Sequence, residues 1–346
     1  MKKLIVFLLA AAAAFGGCVP RHDLPAPEPS AAATAAPTES AAPSYSPAPT
    51  DGPTGYAAVR IDRARELMDL IIPFIQAHPI PVYSSSHEYV FPDKRSELAP
   101  AEAELYDAMK RSAEGFESAE FTCTEQEKDR ALAALFVDEP VTETYFTVRR
   151  DGSRWRSVFF DPEVYPFAPA EDIGLVREKA AAFTAVGEYV ASRIPDDFSA
   201  LDKYRALAYY IILNTEYLHT HGAAPNYVTC AYGAVMNGYS ICQGYALGFE
   251  YLCRAANLDC RRVRNPYNDD NMHFWDIVTL DQGTYYIDVT WSDSAIALHQ
   301  QSWTIDDYAD ERFFRWFVFP ADDSHPSDDG TTTNGRAFDK KSWYIF

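Results

Sequence analysis

Residues 232–246 read Tyr232-Gly233-Ala234-Val235-Met236-Asn237-Gly238-Tyr239-Ser240-Ile241-Cys242-Gln243-Gly244-Tyr245-Ala246. Gly238 marks a loop, and from Ile241 the spacing of Tyr245, Phe249 and Leu252 predicts a helix, so Cys242 stands at its N-terminus. The unsatisfied N–H groups and positive dipole end of a helix favour an anion there. A thiolate is such an anion, and the position is expected to lower the thiol pKa from its ordinary value of about 8.5. Small Gly244 and Ala246 permit close approach by a substrate and by neighbouring strands. Taken alone, Cys242 reads rather as a small hydrophobe opening a core helix.

Two downstream segments change that balance. Met272-His273-Phe274-Trp275-Asp276-Ile277-Val278 puts a histidine at the head of an apolar strand, and Tyr285-Tyr286-Ile287-Asp288-Val289-Thr290-Trp291 puts an acid in the middle of the next. An aspartate among large apolar residues is costly to bury without a partner. A histidine suits it, because the carboxylate can orient an imidazole that takes a proton from a thiol. A tight hairpin centred on Gln282-Gly283 sets Asp288 opposite Ile277, on the same face as His273. The two are then four residues apart along the ladder, roughly 13 Å, so contact requires a bulge or a register shift.

In their order, Gly238-x-x-x-Cys242-Gln243-Gly244-Tyr245-Ala246, His273-Phe274-Trp275 and Tyr286-Ile287-Asp288-Val289-Thr290-Trp291 resemble the bacterial transglutaminase-like superfamily. Asn214-Thr215-Glu216-Tyr217 matches the family's upstream Asn-x-x-Tyr, and the likeness covers about residues 198–293. The resemblance implies an α+β fold with a papain-like core, in which the nucleophile's helix packs on an antiparallel sheet. It also implies acyl transfer by a Cys242–His273–Asp288 triad, without a cofactor: the thiolate attacks an amide or ester carbonyl, His273 acts as base and then acid, and Asp288 holds the imidazolium. Water or an amine would resolve the thioester. The chain departs from the family at Asp276, where Asn is common, and at Ser292-Asp293, where paired acids are common. Asp276 would add charge near His273. The papain-type Gln before the nucleophile is not evident. Tyr232 is a candidate oxyanion donor with the Cys242 backbone N–H, or else a packed core tyrosine. Trp275 and Trp291 are candidates to line a substrate groove for peptide or glycan, with other aromatics around 291–317. The competing function is a non-catalytic peptide- or glycan-binding module on the same fold.

Upstream, helical spacing predicts helices over 59–77, from Ser96, over 125–136, over 171–194 and from Ser199, with a β-hairpin at Asp151-Gly152. At the N-terminus, Lys2 and Lys3 precede an apolar run from Leu4 to Ala14, too short to span a bilayer as a helix. Phe15-Gly16-Gly17-Cys18 resembles a bacterial lipobox, which implies a signal peptide over 1–17 and acylation of Cys18. Residues 19–55 hold nine prolines among Ala, Ser and Thr, the composition of an extended tether reaching up to roughly 100 Å. The expected organisation is therefore signal peptide 1–17, tether 18–55, an N-terminal α+β region of unassigned role over 56–197, and a transglutaminase-like core with a C-terminal extension over 198–346. The protein is expected outside the cytoplasm, held to the cell membrane by the Cys18 lipid.

The formal charge of −20 makes nucleic acid and anionic membrane surfaces poor partners and leaves peptide, protein or cell-wall peptide as expected substrates. Beyond Cys18 there are five cysteines, Cys123, Cys230, Cys242, Cys253 and Cys260, so at least one thiol of an exported chain stays unpaired. Cys253 is expected to be structural, and a Cys253–Cys260 pair stays open. No metal site is expected: His219-x-His221 lacks further ligands at metal spacing, and the aspartate runs at 269–270, 322–323 and 328–329 lack an ordered calcium-loop pattern.

Overall fold

The computed structural model describes residues 53–81, 93–139, 142–143, 145–159, 173–218, 226–265, 272–297, 305–308, 311–322, 325–326, 332–338 and 340–343. The signal peptide, Cys18, almost all of the tether, Trp303 and the His219/His221 pair lie outside the described residues. No helix among the described residues is long and apolar enough to cross a membrane.

Helices α1 (Pro53–Ala77), α2 (Pro100–Gly115) and α3 (Glu125–Asp138) come first, with a short strand β1 (Glu120–Phe121) between the last two. Thr124 caps α3, its hydroxyl taking the Glu127 N–H while the Glu127 carboxylate returns to the Thr124 backbone. Strands β2 (Phe146–Asp151) and β3 (Arg154–Phe159) form the expected hairpin, with Gly152 in the left-handed region at φ 60°. β1, β3 and β2 make an antiparallel sheet that closes with α2 and α3 over a core of their own, around Tyr106, Met109, Leu135, Phe146 and Trp155.

The larger core begins with α1 and continues through α4 (Ile173–Ser192) and α5 (Ala200–Asn214). It therefore draws on residues from both sides of position 198. Ser199 caps α5 by accepting the Asp202 N–H at 3.1 Å. After α5, the two-residue strand β4 (Glu216–Tyr217) pairs in parallel with β5 (Tyr239–Ser240), which leads into α6 (Cys242–Ala255). α4 packs closely on α6: Tyr251 stacks on Phe183 with centroids 4.2 Å apart and donates to its carbonyl at 3.2 Å. Gly187 makes this approach possible, since a Cβ there would run into the Tyr251 hydroxyl.

On α6 lies the antiparallel sheet β6 (Arg261–Arg264), β7 (Phe274–Leu280) and β8 (Gly283–Ile287), followed by α7 (Val289–Ala297) and the short α8 (Glu311–Arg315). This is the expected α+β arrangement, with the helix that begins at Cys242 packed against an antiparallel sheet. Two local expectations are corrected. The β7–β8 turn is Asp281-Gln282, closed by Leu280 opposite Gly283, two positions off the expected register. The strand expected through Trp291 stops at Ile287, because the chain turns there into α7. Most aromatics of the 291–317 stretch that the structure describes pack in the core: Phe313 and Phe314 are fully buried and Trp316 is 8% exposed.

Candidate active site

Cys242 is the first residue of α6 and is buried. Its helix end is fixed from below by Ser240, whose hydroxyl donates to the Val228 carbonyl at 2.7 Å. Gly244 lets the first turn of α6 press against that same backbone, for a Cβ there would meet the Ser240 hydroxyl and lie 2.5 Å from the Val228 carbonyl oxygen. The neighbour that Gly244 admits is thus the 228–230 backbone. Asn214, the last residue of α5, ties the preceding turn by donating to the carbonyls of Ala234 at 2.8 Å and Val235 at 3.1 Å, and Tyr217 packs beside Cys242 and Phe274.

His273 sits one residue before β7, and the Cys242 sulfur lies 4.0 Å from the carbonyl of its neighbour Met272. The backbone of His273 is pinned on both sides by Asn265: the His273 N–H donates to Asn265 Oδ1 and the Asn265 N–H to the His273 carbonyl, each at 3.1 Å. The observed hairpin register, continued one step, sets Asp288 level with Trp275, two residues from His273 and not four. That halves the separation along the ladder to roughly 7 Å. The rest is closed because Asp288 leaves the strand and becomes the N-cap of α7, its Oδ1 accepting the Trp291 N–H at 2.8 Å. Asp288 Oδ2 then meets His273 Nε2 at 2.6 Å. Asp288 is wholly buried. Burial opposes its charge, but His273 and His325 outweigh it and hold the carboxyl below the usual carboxylate range.

The other thiols have a different setting. Burial pushes Cys230 up to about 12 and raises Cys123, Cys253 and Cys260, which favours their thiol form. No disulfide joins the described cysteines.

Residues 185–290 match the profile of the transglutaminase-like superfamily. The chain carries a transglutaminase-like domain. A solved Cytophaga hutchinsonii protein called a cysteine protease is similar at 13% identity and a TM-score of 0.25, over 42% of this chain and 61% of its own. A structure described as a TGase is similar at 13% identity and a TM-score of 0.28, over 55% of this chain and 54% of its own. This chain thus spans about three-fifths and about half the length of those two proteins. Among curated proteins, none matches.

The remaining candidates take distinct places. Tyr232 is buried in the main core beside Phe183, ring centroids 5.8 Å apart, at the start of the turn of π-helix Gly233–Asn237. Trp275 is 1% exposed, so it packs the sheet's outer face beneath Tyr286 and lines no open groove. Trp291 is half-buried and stacks on the His273 ring, with centroids 5.0 Å apart and planes 21° apart. Asp276 is fully buried on the other face of β7, beside Cys260 at 3.7 Å; burial and then Glu250 raise its pKa well above the ordinary value. Asp276 therefore faces away from His273, across the sheet. Asp293, at one of the positions that depart from the family, accepts from Tyr245 at 2.7 Å and joins α7 to α6.

Three contributors are not evident in the sequence: Asn265, His325 and Asp322. His325 Nε2 lies 3.0 Å from the same Asp288 oxygen that receives His273. It belongs to an acidic, turn-rich stretch with no periodicity, and its place depends on a distant pairing. Residues 316–319 lie against β8, with Tyr286 and Phe319 exchanging backbone hydrogen bonds at 2.7 and 2.9 Å and the Asp288 N–H reaching the Trp316 carbonyl at 2.9 Å.

Proposed function

We propose that the protein is a cysteine-dependent acyl-transfer enzyme, displayed outside the cytoplasm on a lipid attached to Cys18. In this reading Cys242, His273 and Asp288 do the chemistry. The observation that carries it is the 2.6 Å pairing of His273 with Asp288 at the head of the strand beside Cys242's helix end. With Nε2 engaged by the carboxylate, Nδ1 is the ring nitrogen that takes the thiol proton, and Asp288 steadies the resulting imidazolium.

The steps follow from this assignment. The Cys242 thiolate adds to an amide or ester carbonyl, and the oxygen's developing charge meets the N-terminal N–H groups of α6, with Tyr232 a further donor candidate. The carbon–nitrogen or carbon–oxygen bond breaks as the leaving group takes the proton from His273, which leaves a thioester. Water or a primary amine then attacks while His273 removes its proton, and the carbon–sulfur bond breaks to return the thiolate. Trp291, half-buried against the His273 ring, is placed to contact the acyl donor. Peptide, protein or wall-peptide amides are the substrate class proposed.

The test is intact-protein mass spectrometry of the full chain incubated with a peptide p-nitrophenyl ester. A single acyl adduct mapped to Cys242, discharged by water or by an added primary amine and absent in Cys242→Ser, is expected. An adduct elsewhere, or none, would refute the assignment. For the anchor, Cys18→Ser is expected to move the protein from the membrane fraction to the soluble fraction; retention in the membrane would refute it.

A further inference from the structure

Asp288 serves two histidines with one oxygen. Its Oδ2 receives His273 Nε2 at 2.6 Å and His325 Nε2 at 3.0 Å. His325 is wholly buried, its ring boxed by Trp275, Trp291, Trp316 and Phe319 with centroids 4.5 to 5.1 Å away. Its other ring nitrogen, Nδ1, lies 3.2 Å from Asp322 Oδ1, which also accepts the His325 backbone N–H at 2.9 Å. The Asp322 side chain is 43% exposed, so the chain of contacts from His273 ends at solvent.

A carboxylate at each ring nitrogen selects the protonation state. Either neutral tautomer would turn a lone pair toward one of the two carboxylates, whereas the imidazolium donates to both. Burial disfavours that charge, yet Asp288 and Asp322 outweigh it and raise the His325 pKa above its ordinary value. The charged or titratable groups that face the ring are Asp288, Asp322 and His273, the last at 6.2 Å between centroids and opposing a second cation. The four aromatic rings of the box carry no charge. Ligand atoms of His273, Asp288 and His325 do lie within 4.8 Å of one another. A cation about 2.05 Å from both His273 Nε2 and the Asp288 oxygen would, however, subtend an angle near 80°, well under the tetrahedral value, so their spacing is that of a hydrogen bond.

We propose that His325 is a positioning residue for acyl transfer: as an imidazolium it holds the shared oxygen of Asp288 in place and takes part of the carboxylate's charge that would otherwise act on His273. The inference rests on the reading of His273 as the base. Its consequence is directional. Without the buried cation, the undivided charge of Asp288 retains the His273 proton to higher pH. The titration of the His273 imidazolium therefore moves upward.

The experiment follows the imidazole nitrogen chemical shifts of His273 in the full chain across the acid-to-alkaline range, beside iodoacetamide alkylation of Cys242 read by peptide mass spectrometry. His325→Gln and His325→Phe, the latter keeping an aromatic ring in the box, are each expected to shift the His273 midpoint up by roughly one pH unit. Asp322→Asn is expected to shift it the same way by less, since His325 then gives up its proton earlier. Folded variants with the wild-type profile would overturn the proposal. Should both His325 variants fail to fold, imidazole nitrogen chemical shifts of the wild-type protein decide: protons on both His325 nitrogens at neutral pH uphold the proposal, and a neutral tautomer overturns it. A His273→Ala arm separates the two readings. If that variant alkylates like wild type, the base assignment itself fails. If it loses alkylation while the His325 variants do not shift, only the role of His325 fails.

Discussion

Asp288 Oδ2 lies 2.6 Å from His273 Nε2 across 15 residues of chain, and the contact is made by an aspartate that is also the N-cap of a helix. The two duties fall on different oxygens, Oδ2 toward the imidazole and Oδ1 toward the Trp291 N–H. The cap fixes the carboxylate's rotation, so the oxygen facing His273 is preset by the turn from β8 into α7.

Separating the two duties gives the first prediction. Asp288→Asn keeps an acceptor for the Trp291 N–H and nearly the same shape, but loses the charge that steadies the imidazolium. It is expected to fold and to lose acyl transfer by about 10²–10⁴-fold. Asp288→Ala removes the cap as well, at about 1 kcal/mol, and leaves two buried imidazole donors unpaired, for a total loss on the order of 3–5 kcal/mol. Urea unfolding of the two variants alongside ester turnover checks this; equal stability losses would show that the cap and the charge are not separable.

Gly244 yields a second. A Cβ at this position would crowd the Ser240 hydroxyl and approach the Val228 carbonyl oxygen to 2.5 Å, and neither can yield without moving the end of α6. Gly244→Ala is expected to cost about 2–3 kcal/mol and to depress Cys242 alkylation with it. Gly115→Ala, where the nearest atom is a flexible Glu117 side chain at 3.5 Å, is the control expected to stay within about 0.5 kcal/mol of wild type.

The third concerns pH and stability. Burial lifts Glu250 to about 7 against the pull of Arg262, and lifts Asp293 to about 7 against its hydrogen bond from Tyr245. The unfolded chain releases these protons near pH 4, so between about 4 and 7 the folded state binds more protons and stability falls as pH rises. Asp276, raised by burial and by Glu250, works in the same direction. Asp288 has the opposite sign: its depressed pKa contributes stability above about pH 4, lost on acidification below that. Melting temperature is therefore expected to decline from mildly acidic to neutral pH, with Glu250→Gln and Asp293→Asn each flattening the decline by the equivalent of about 1–3 kcal/mol at neutrality. A melting temperature that rises over that interval would contradict the assignment of these buried groups.

How much of this was legible in the sequence depends on the range of the interaction. Helix α6 and its Cys242 terminus follow from apolar residues at helical spacing, and the β7–β8 hairpin from period-two alternation bounded by Asp281-Gln282-Gly283. Parity of the faces survives a two-residue register error, which is why His273 and Asp288 were assigned to one side even though the turn was misplaced. The helix after Asp288 was hidden because Val289, Thr290 and Trp291 favour a strand locally, and it forms where the chain meets the 313–319 segment and Asp288 caps it. Aromatic content alone does not tell inside from outside: of the two groove candidates, Trp275 packs in the core while Trp291 stays half-buried. His325 was invisible because its position is set by residues 316–319 docking on β8, a contact without any local pattern.

Whether His273 takes the proton of Cys242 is decided by the rate of Cys242 alkylation by iodoacetamide at neutral pH in wild type and in His273→Ala. Selective, fast modification of Cys242 in the wild-type chain, ahead of Cys123, Cys230, Cys253 and Cys260, is expected, with a loss of at least about 10²-fold in the variant at a melting temperature close to wild type. Equal rates in the two proteins, or modification spread evenly over the buried thiols, would contradict it.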